Sequence, residues 1–130
     1  MSPGRDRLFM RFHSFAVSAY LSITMKIMKH FSCDIRRRLP NSTVLPHPTG
    51  IVIAGGCDIG ENVRISQNVT LGKRSGEGYP KIEDNVEIYA NAVVIGDITI
   101  GKNSVIGAHA TVIDDVPPDS TVVGTPAEPV

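Results

Sequence analysis

Four histidines are the chain's candidates for proton transfer near neutral pH, and His47 has the most distinctive neighbours. A neutral imidazole can accept the proton of a hydroxyl while the hydroxyl oxygen attacks an acyl carbon. Pro46 and Pro48 flank His47 and restrict the backbone that carries it. A lone histidine is more often structural, so the elements around His47 must decide between the two interpretations.

A second candidate is the glycine-containing stretch from Gly72 to Lys81. Backbone N–H groups in such a loop can donate hydrogen bonds to the oxyanion of an acyl-transfer intermediate. A loop that projects from a rigid scaffold is also a frequent location of function.

Other kinds of chemistry have less support. Cys33 and Cys57 have no metal-ligand spacing and are too few for a disulfide framework, which favours two reduced thiols in a cytoplasmic protein. The formal net charge of zero argues against nucleic acid as the main partner. Charged residues interrupt the apolar part of residues 8–32, so we expect no integral membrane segment and no signal peptide. Contact with a membrane surface stays open.

The elements that must position these candidates differ along the chain. Residues 8–32 lack Gly and Pro, and their apolar residues recur at helical spacing from Phe9 to Phe31. We therefore predict one amphipathic α-helix within a first segment, residues 1–33, that packs against a neighbouring domain or subunit. Residues 34–130 form the second predicted domain.

From Ile53 onward, large aliphatic residues recur every six positions. A strand of period 2, followed by a corner every six residues, keeps this phase, whereas an α-helix does not. Three such faces form one triangular coil, and stacked coils bury the aliphatic residues. The repeating positions are Ile53, Ile59, Ile65 and Leu71, followed by Ile82, Ile88, Val94, Ile100, Ile106 and Val112.

Two further positions of the unit agree with this coil. The fifth position of nearly every unit is small or apolar, from Cys57 to Val116. The fourth position holds residues that tolerate a positive φ, which a corner requires. This series is Gly56, Asn62, Asn68, Asn85, Asn91, Asp97, Asn103, His109 and Asp115. His109 is thus expected at a turn rather than in catalysis, and the stretch from Gly72 to Lys81 must loop out of the coil.

These residues resemble the hexapeptide-repeat acyltransferases, and within them the serine acetyltransferase-like branch. The resemblance covers about two thirds of the chain, from His47 to Ala127, and its most specific parts are His47-Pro48-Thr49-Gly50-Ile51-Val52 and Gly124-Thr125-Pro126-Ala127. It implies a mainly β fold, a left-handed parallel β-helix, which we expect to follow the N-terminal α-helix. It also implies a homotrimer with sites between subunits and acetyl-CoA as co-substrate, without a metal.

The resemblance assigns roles residue by residue. His47 matches the catalytic base. Asp34 matches an aspartate that orients this base, although the segment from Asp34 to His47 is shorter than in the family, and a turn or cap role stays open for Asp34. Gly72 and Lys73 match the oxyanion position at the loop entrance, and the resemblance implies that they bind acetyl-CoA, since the same loop forms part of the acetyl-CoA cleft. Ala90 and Ala108 match small positions along which the pantetheine arm lies, or they are simply small outward residues.

The resemblance is weaker at the acceptor site. Where serine-specific members carry an aspartate before the histidine and an Arg-His pair before Pro-Lys-Ile, this chain has Pro46, Gly78 and Tyr79. Losing a cation that pairs with a carboxylate weakens serine recognition. We therefore expect transfer to a hydroxyl of a sugar or sugar nucleotide in polysaccharide biosynthesis, with serine as the alternative.

Two other classes stay open. A zinc hydratase on the same coil needs three histidine ligands, and only His47 and His109 lie within or beside the coils. A catalytically silent trimeric scaffold is the other alternative, and the retained His47 argues against it.

Overall fold

A computed structural model describes Ala19, Ile23, and residues 32–76 and 78–130. The chain divides into two units, residues 1–31 and 32–130. The predicted N-terminal helix lies almost wholly outside the described residues. The predicted division into a helical segment and a coil domain therefore stays a prediction.

In the described part of the second unit, thirteen short β-strands form three sheets. The strands, β1 to β13 in chain order, are Asp34–Ile35, Val52–Ile53, Asp58–Ile59, Arg64–Ile65, Thr70–Gly72, Lys81–Ile82, Glu87–Ile88, Val93–Ile95, Thr99–Ile100, Val105–Ile106, Thr111–Val112, Thr121–Val123 and Glu128–Pro129. We call the sheets sheet I (β1, β2, β5, β8, β11), sheet II (β3, β6, β9) and sheet III (β4, β7, β10, β12, β13). All pairs are parallel except β12 with β13.

The chain visits the sheets in the order I, II, III and then returns to sheet I one coil later. This path gives a triangular prism with three edges. The histidine edge is the one where the chain passes from sheet III to sheet I, and the loop edge is the one where it passes from sheet I to sheet II. A parallel β-coil with the predicted period of six is thereby confirmed.

The predicted aliphatic residues fill the interior of the prism. All ten six-residue positions from Ile53 to Val112 are buried, each with at most 4% of its surface exposed. The fifth positions are buried as well, including Ser104, whose hydroxyl donates to the Pro117 carbonyl at 2.9 Å. Burying one such aliphatic side chain stabilises the fold by about 1.5–3 kcal/mol, so this column is the main source of stability.

Among the described residues, the fourth position of the six-residue unit has a positive φ along two of the three edges. At the edge between sheets II and III these corner residues are Asn62, Asn85, Asn103 and Asp119, and at the histidine edge they are Gly50, Asn68, Asn91 and His109. Side-chain amides link successive corners, because Asn85 donates to Asn103 and Asn103 donates to Asp119 at 3.1 and 3.0 Å.

The same prediction is wrong along the loop edge. Gly56, Asp97 and Asp115 do not have a positive φ, because this edge turns in another way at each coil. At Gly56 the ring of Tyr79 occupies the space that a Cβ would need. Two coils above Gly56, Gly96 rather than Asp97 has the positive φ.

The last coil is shorter than the pattern predicts. Val116 lies opposite Ile100, so it starts a new face four residues after Val112 rather than six. Asp115 therefore sits beside a strand, where its carboxylate accepts the Thr99 N–H at 2.8 Å.

Candidate active site

His47 lies on a bulge at the histidine edge. Val44 lies opposite Arg64, twenty residues later, whereas Val52 lies opposite Thr70, eighteen residues later. The segment between Val44 and Val52 therefore holds two more residues than the segment stacked above it. The surplus forms the turn Pro46–Thr49, in which the Thr49 N–H donates to the His47 carbonyl at 2.8 Å.

This bulge compensates for a shortened start of the first coil. Ile35 and Val44 are nine residues apart, but their partners Ile53 and Arg64 are eleven apart. The sequence indicates the shortening, and the structure shows that the missing length returns at Pro46–Thr49. His47 is exposed there, and among the described residues its imidazole has no hydrogen-bond partner.

Ala90 and Ala108 lie on the same edge as His47. The Asn68 N–H donates to Thr49, the Asn91 N–H to Gln67, and the His109 N–H to Ala90, at 2.9–3.1 Å. The residues Thr49, Gln67, Ala90 and Ala108 thus stack in successive coils at about 4.8 Å per coil. The stack forms a narrow path of mostly small side chains that starts at the bulge.

Gln67 is a member of this path that sequence reasoning missed. It occupies the same position of its unit as Ala90 and Ala108, so the period alone was a sufficient signal. His109, by contrast, has a φ of 60° and its Nε2 lies 3.5 Å from Asn91 Nδ2. This geometry agrees with the corner role predicted for it.

Asp34 pairs with Arg36 rather than with His47. Its carboxylate lies 3.0 Å from the Arg36 guanidinium on the exposed face of β1. The hydrogen bond from Arg36, and then the attraction between the charges, raises the pKa of Arg36 above its usual value. No hydrogen bond or ion pair between Asp34 and His47 occurs among the described residues.

Gly72 and Lys73 lie at the other side of sheet I, on the loop edge. Gly72 ends β5 and its carbonyl accepts the Gly96 N–H at 3.0 Å. A Cβ built on Gly72 meets nothing within 4 Å, and its φ is not positive. Neither backbone strain nor close packing therefore requires glycine at position 72. The missing side chain leaves open space beside the Gly72 backbone.

Gly78 and Tyr79 return the loop to the same edge. A Cβ on Gly78 would lie 2.4 Å from Asp97 Cβ, and the Tyr79 ring covers Gly56. Pro46 lies on the histidine edge, so the three predicted acceptor residues are not brought together in one chain. Asp97 was predicted only as a corner, because the sequence does not show that the loop folds back onto it.

Sheet I separates the two groups of site residues, and beyond the Asp34–Arg36 pair at β1 its outer face carries uncharged side chains on β2, β5, β8 and β11. Val52, Thr70, Val93 and Thr111 stack outward along it. Val52 is 39% exposed. A surface of this kind is suited to contact with another molecule.

Known proteins are similar to this chain in sequence and in fold. Residues 79–114 match the bacterial transferase hexapeptide family of six repeats. A serine acetyltransferase of Staphylococcus xylosus is 48% identical over 100 residues, which cover 75% of this chain and 44% of that protein. The chain is a hexapeptide-repeat protein similar to serine acetyltransferases.

Solved structures of serine acetyltransferases are similar to this hexapeptide-repeat chain. The Neisseria gonorrhoeae serine acetyltransferase in complex with serine is 42% identical with a TM-score of 0.65, over 75% of this chain and 39% of that one. A serine acetyltransferase in complex with CoA is 35% identical with a TM-score of 0.65, over 76% of this chain and 40% of that one. The hexapeptide-repeat chain thus spans less than half the length of these relatives.

These comparisons favour serine acetyltransferases over sugar-modifying enzymes. The prediction of a sugar hydroxyl as acceptor receives no support from them, and the alternative acceptor, serine, is favoured. Within the described part of the hexapeptide-repeat chain, no group of three His, Cys, Asp or Glu side chains is placed to hold a metal. No helix among those residues is long and apolar enough to cross a membrane.

Proposed function

We propose that this protein is an acetyl-CoA-dependent O-acetyltransferase whose acceptor is the hydroxyl of serine, built on a left-handed coil. The observation that carries the proposal is the bulge that places His47 at the start of the path formed by Gln67, Ala90 and Ala108. Relatives of the same type, solved with serine and with CoA, support both substrates.

The path suits the coenzyme because it combines small side chains with a straight course. The pantetheine arm is long and thin, so it needs a shallow track along the coils rather than a deep cavity. Ala90 is half-buried and Ala108 exposed, and neither has a side chain long enough to block the track. With the arm on this track, the thioester lies near His47.

The chemistry then follows from the two groups of residues. His47 takes the proton of the acceptor hydroxyl as its oxygen attacks the thioester carbonyl carbon. The N–H groups of Gly72 and Lys73 donate to the oxyanion of the tetrahedral intermediate. The intermediate collapses with loss of the CoA thiolate, which accepts the proton from the histidine. Asp34 remains our candidate for orienting His47, after release from Arg36.

One chain cannot supply all of these groups at one place, because His47 and Gly72 lie on opposite edges of sheet I. We therefore propose that the histidine edge of one subunit meets the loop edge of the next. A closed ring of three subunits, in which the uncharged parts of the sheet I faces lie toward one another, satisfies this requirement for every subunit.

Release of free thiol from acetyl-CoA tests the proposal, with L-serine and a panel of sugars and sugar nucleotides offered separately. We expect serine-dependent release that His47→Ala abolishes while the assembly stays folded. The control is His109→Asn, which keeps a residue suited to a positive φ and should retain activity. Thiol release with a sugar alone would reject serine, and unaltered activity of His47→Ala would reject the catalytic role of His47.

A further inference from the structure

At the loop edge, Gly78 stands where serine-specific members carry a cation, and the geometry around Gly78 explains why that cation is missing. Gly78 has a φ of 100°, and a Cβ there would overlap the Cβ and Cγ of Asp97 at 2.4–2.5 Å. An arginine at this position would be strained and would displace Asp97. The usual carboxylate-binding position is therefore closed, and a carboxylate occupies the adjoining space.

A cation lies on the other side of the same corner. A Cβ on Gly96 would lie 3.6 Å from Arg74 Cβ, and Gly96 directly precedes Asp97. Arg74 and Gly78, near the two ends of the loop, thus flank one corner of the coil. This arrangement places one guanidinium and one carboxylate within reach of the same small molecule.

Both charges are available to a ligand. Arg74 and Asp97 are exposed, and neither has a hydrogen bond or an ion pair with any other residue in the described part of the chain. By contrast, Asp34 pairs with Arg36, and Asp58 lies 3.9 Å from Arg37. Two opposite charges that neighbour one corner without pairing suit a zwitterion.

We propose that Asp97 and Arg74 bind the acceptor's ammonium and carboxylate, so that they replace the charges missing at Pro46 and Gly78. This inference rests on the proposed function, since it assigns the acceptor contacts of that same site. A carboxylate accepts hydrogen bonds from an ammonium group, and a guanidinium can donate two parallel bonds to a carboxylate. The acceptor is thereby an α-amino acid held at the loop edge, with its hydroxyl directed to His47 of the adjoining subunit.

Steady-state kinetics of Asp97→Asn and Arg74→Gln in the full chain test this assignment. Each variant should raise the KM for L-serine about tenfold or more, the loss expected when a charged hydrogen bond is removed. The kcat and the KM for acetyl-CoA should stay unchanged. The matched controls, Asp119→Asn and Arg38→Gln, alter exposed charges away from the loop edge and should keep the KM for serine.

Acceptor analogues separate the two contacts. Serinamide lacks the carboxylate and 3-hydroxypropionate lacks the ammonium. Arg74→Gln should therefore lose the preference for serine over serinamide, and Asp97→Asn the preference for serine over 3-hydroxypropionate. A merely structural role would not produce this crossed pattern.

The outcomes distinguish this inference from the function on which it rests. If the wild-type protein acetylates serine and both variants keep its KM, the inference is wrong and the proposed function stands. An increase only in the KM for acetyl-CoA in Arg74→Gln would assign Arg74 to the coenzyme and overturn the pairing. If the wild-type protein does not acetylate serine, the proposed acceptor and this inference fail together.

Discussion

The Asp34 carboxylate in β1 lies 3.0 Å from the guanidinium of Arg36, which directly follows that strand, and both side chains are exposed. The side chains are 51% and 71% exposed, so solvent screens the pair and it contributes little to stability. The Ser32 hydroxyl donates to the Pro48 carbonyl at 3.3 Å. The residues before β1 therefore contact the bulge that carries His47. Because the Asp34–Arg36 pair is exposed, Asp34 needs little energy to leave Arg36 for another partner.

We expect Asp34→Asn to lower kcat by about tenfold without raising the KM for serine, because Asp34 only orients the base, whose own contribution is about 10²–10⁴-fold. Arg36→Gln should leave kcat nearly unchanged, because it removes only an exposed ion pair. The measurement is kcat and KM for each variant, together with thermal denaturation. Equal losses of kcat in both variants would show that the ion pair, rather than a contact between Asp34 and His47, matters.

Mixed assemblies test whether two subunits share each site. His47→Ala disables the histidine edge, and Gly72→Val fills the open space at the loop edge. Each variant alone should be inactive. When equal amounts are refolded together into trimers of random composition, about one quarter of the sites should combine an intact His47 with an intact Gly72 and be active. The measurement is thiol release per subunit. If confirmed mixed assemblies recover no activity, His47 and Gly72 of the same subunit belong to one site.

Two glycines at comparable positions of the coils should respond differently to alanine. A Cβ at Gly72 meets nothing within 4 Å, whereas a Cβ at Gly101 would lie 2.3 Å from the Pro118 nitrogen. Gly101→Ala should therefore destabilise the fold by about 1–3 kcal/mol. Gly72→Ala should keep the midpoint of thermal denaturation and lower kcat/KM for acetyl-CoA. A fully active Gly72→Ala variant would remove Gly72 from the coenzyme site.

Cys57 should make stability depend on alkaline pH. Burial raises the pKa of its thiol, which also donates to the Leu71 carbonyl at 3.4 Å. Because the thiol has a higher pKa in the folded state, it contributes to the free energy of unfolding. This contribution is fully present below the unfolded-state pKa of about 8.5 and is lost as the pH rises through the folded-state pKa. Urea denaturation between about pH 8 and 10 should thus show a steeper loss of stability in the wild type than in Cys57→Ala. Cys33→Ala is the matched control, and equal slopes in all three proteins would contradict the prediction.

Much of the coil could be predicted because its signals are local. The buried position of Ile53 or Ile100 depends on the alternation within one short strand, and the corner at Asn85 depends on one residue's tolerance of positive φ. The turns at Gly56 and Asp97 could not be predicted in this way, because a loop that starts at Gly72 returns onto them.

The site was predictable as a set of residues but not as an arrangement. His47, Ala90 and Ala108 lie on one edge only because a shortened segment before Val44 is followed by a compensating bulge. Nothing in the spacing of Gly72 and His47 indicates that sheet I separates them. Such relations depend on how many residues each coil contains, which only the stacked register shows.

The loop edge is also where the lengths of the coils vary, from the four-residue step between Val112 and Val116 to the eleven-residue step between Leu71 and Ile82. The histidine edge above its bulge keeps a uniform step and carries the proposed coenzyme track. Insertions at the first edge can therefore change which small molecule is modified without disturbing how the acyl donor is held. A protein built in this way can diversify its substrates by exchanging one loop, and grafting residues 72–81 between relatives is a practical route to new acceptors.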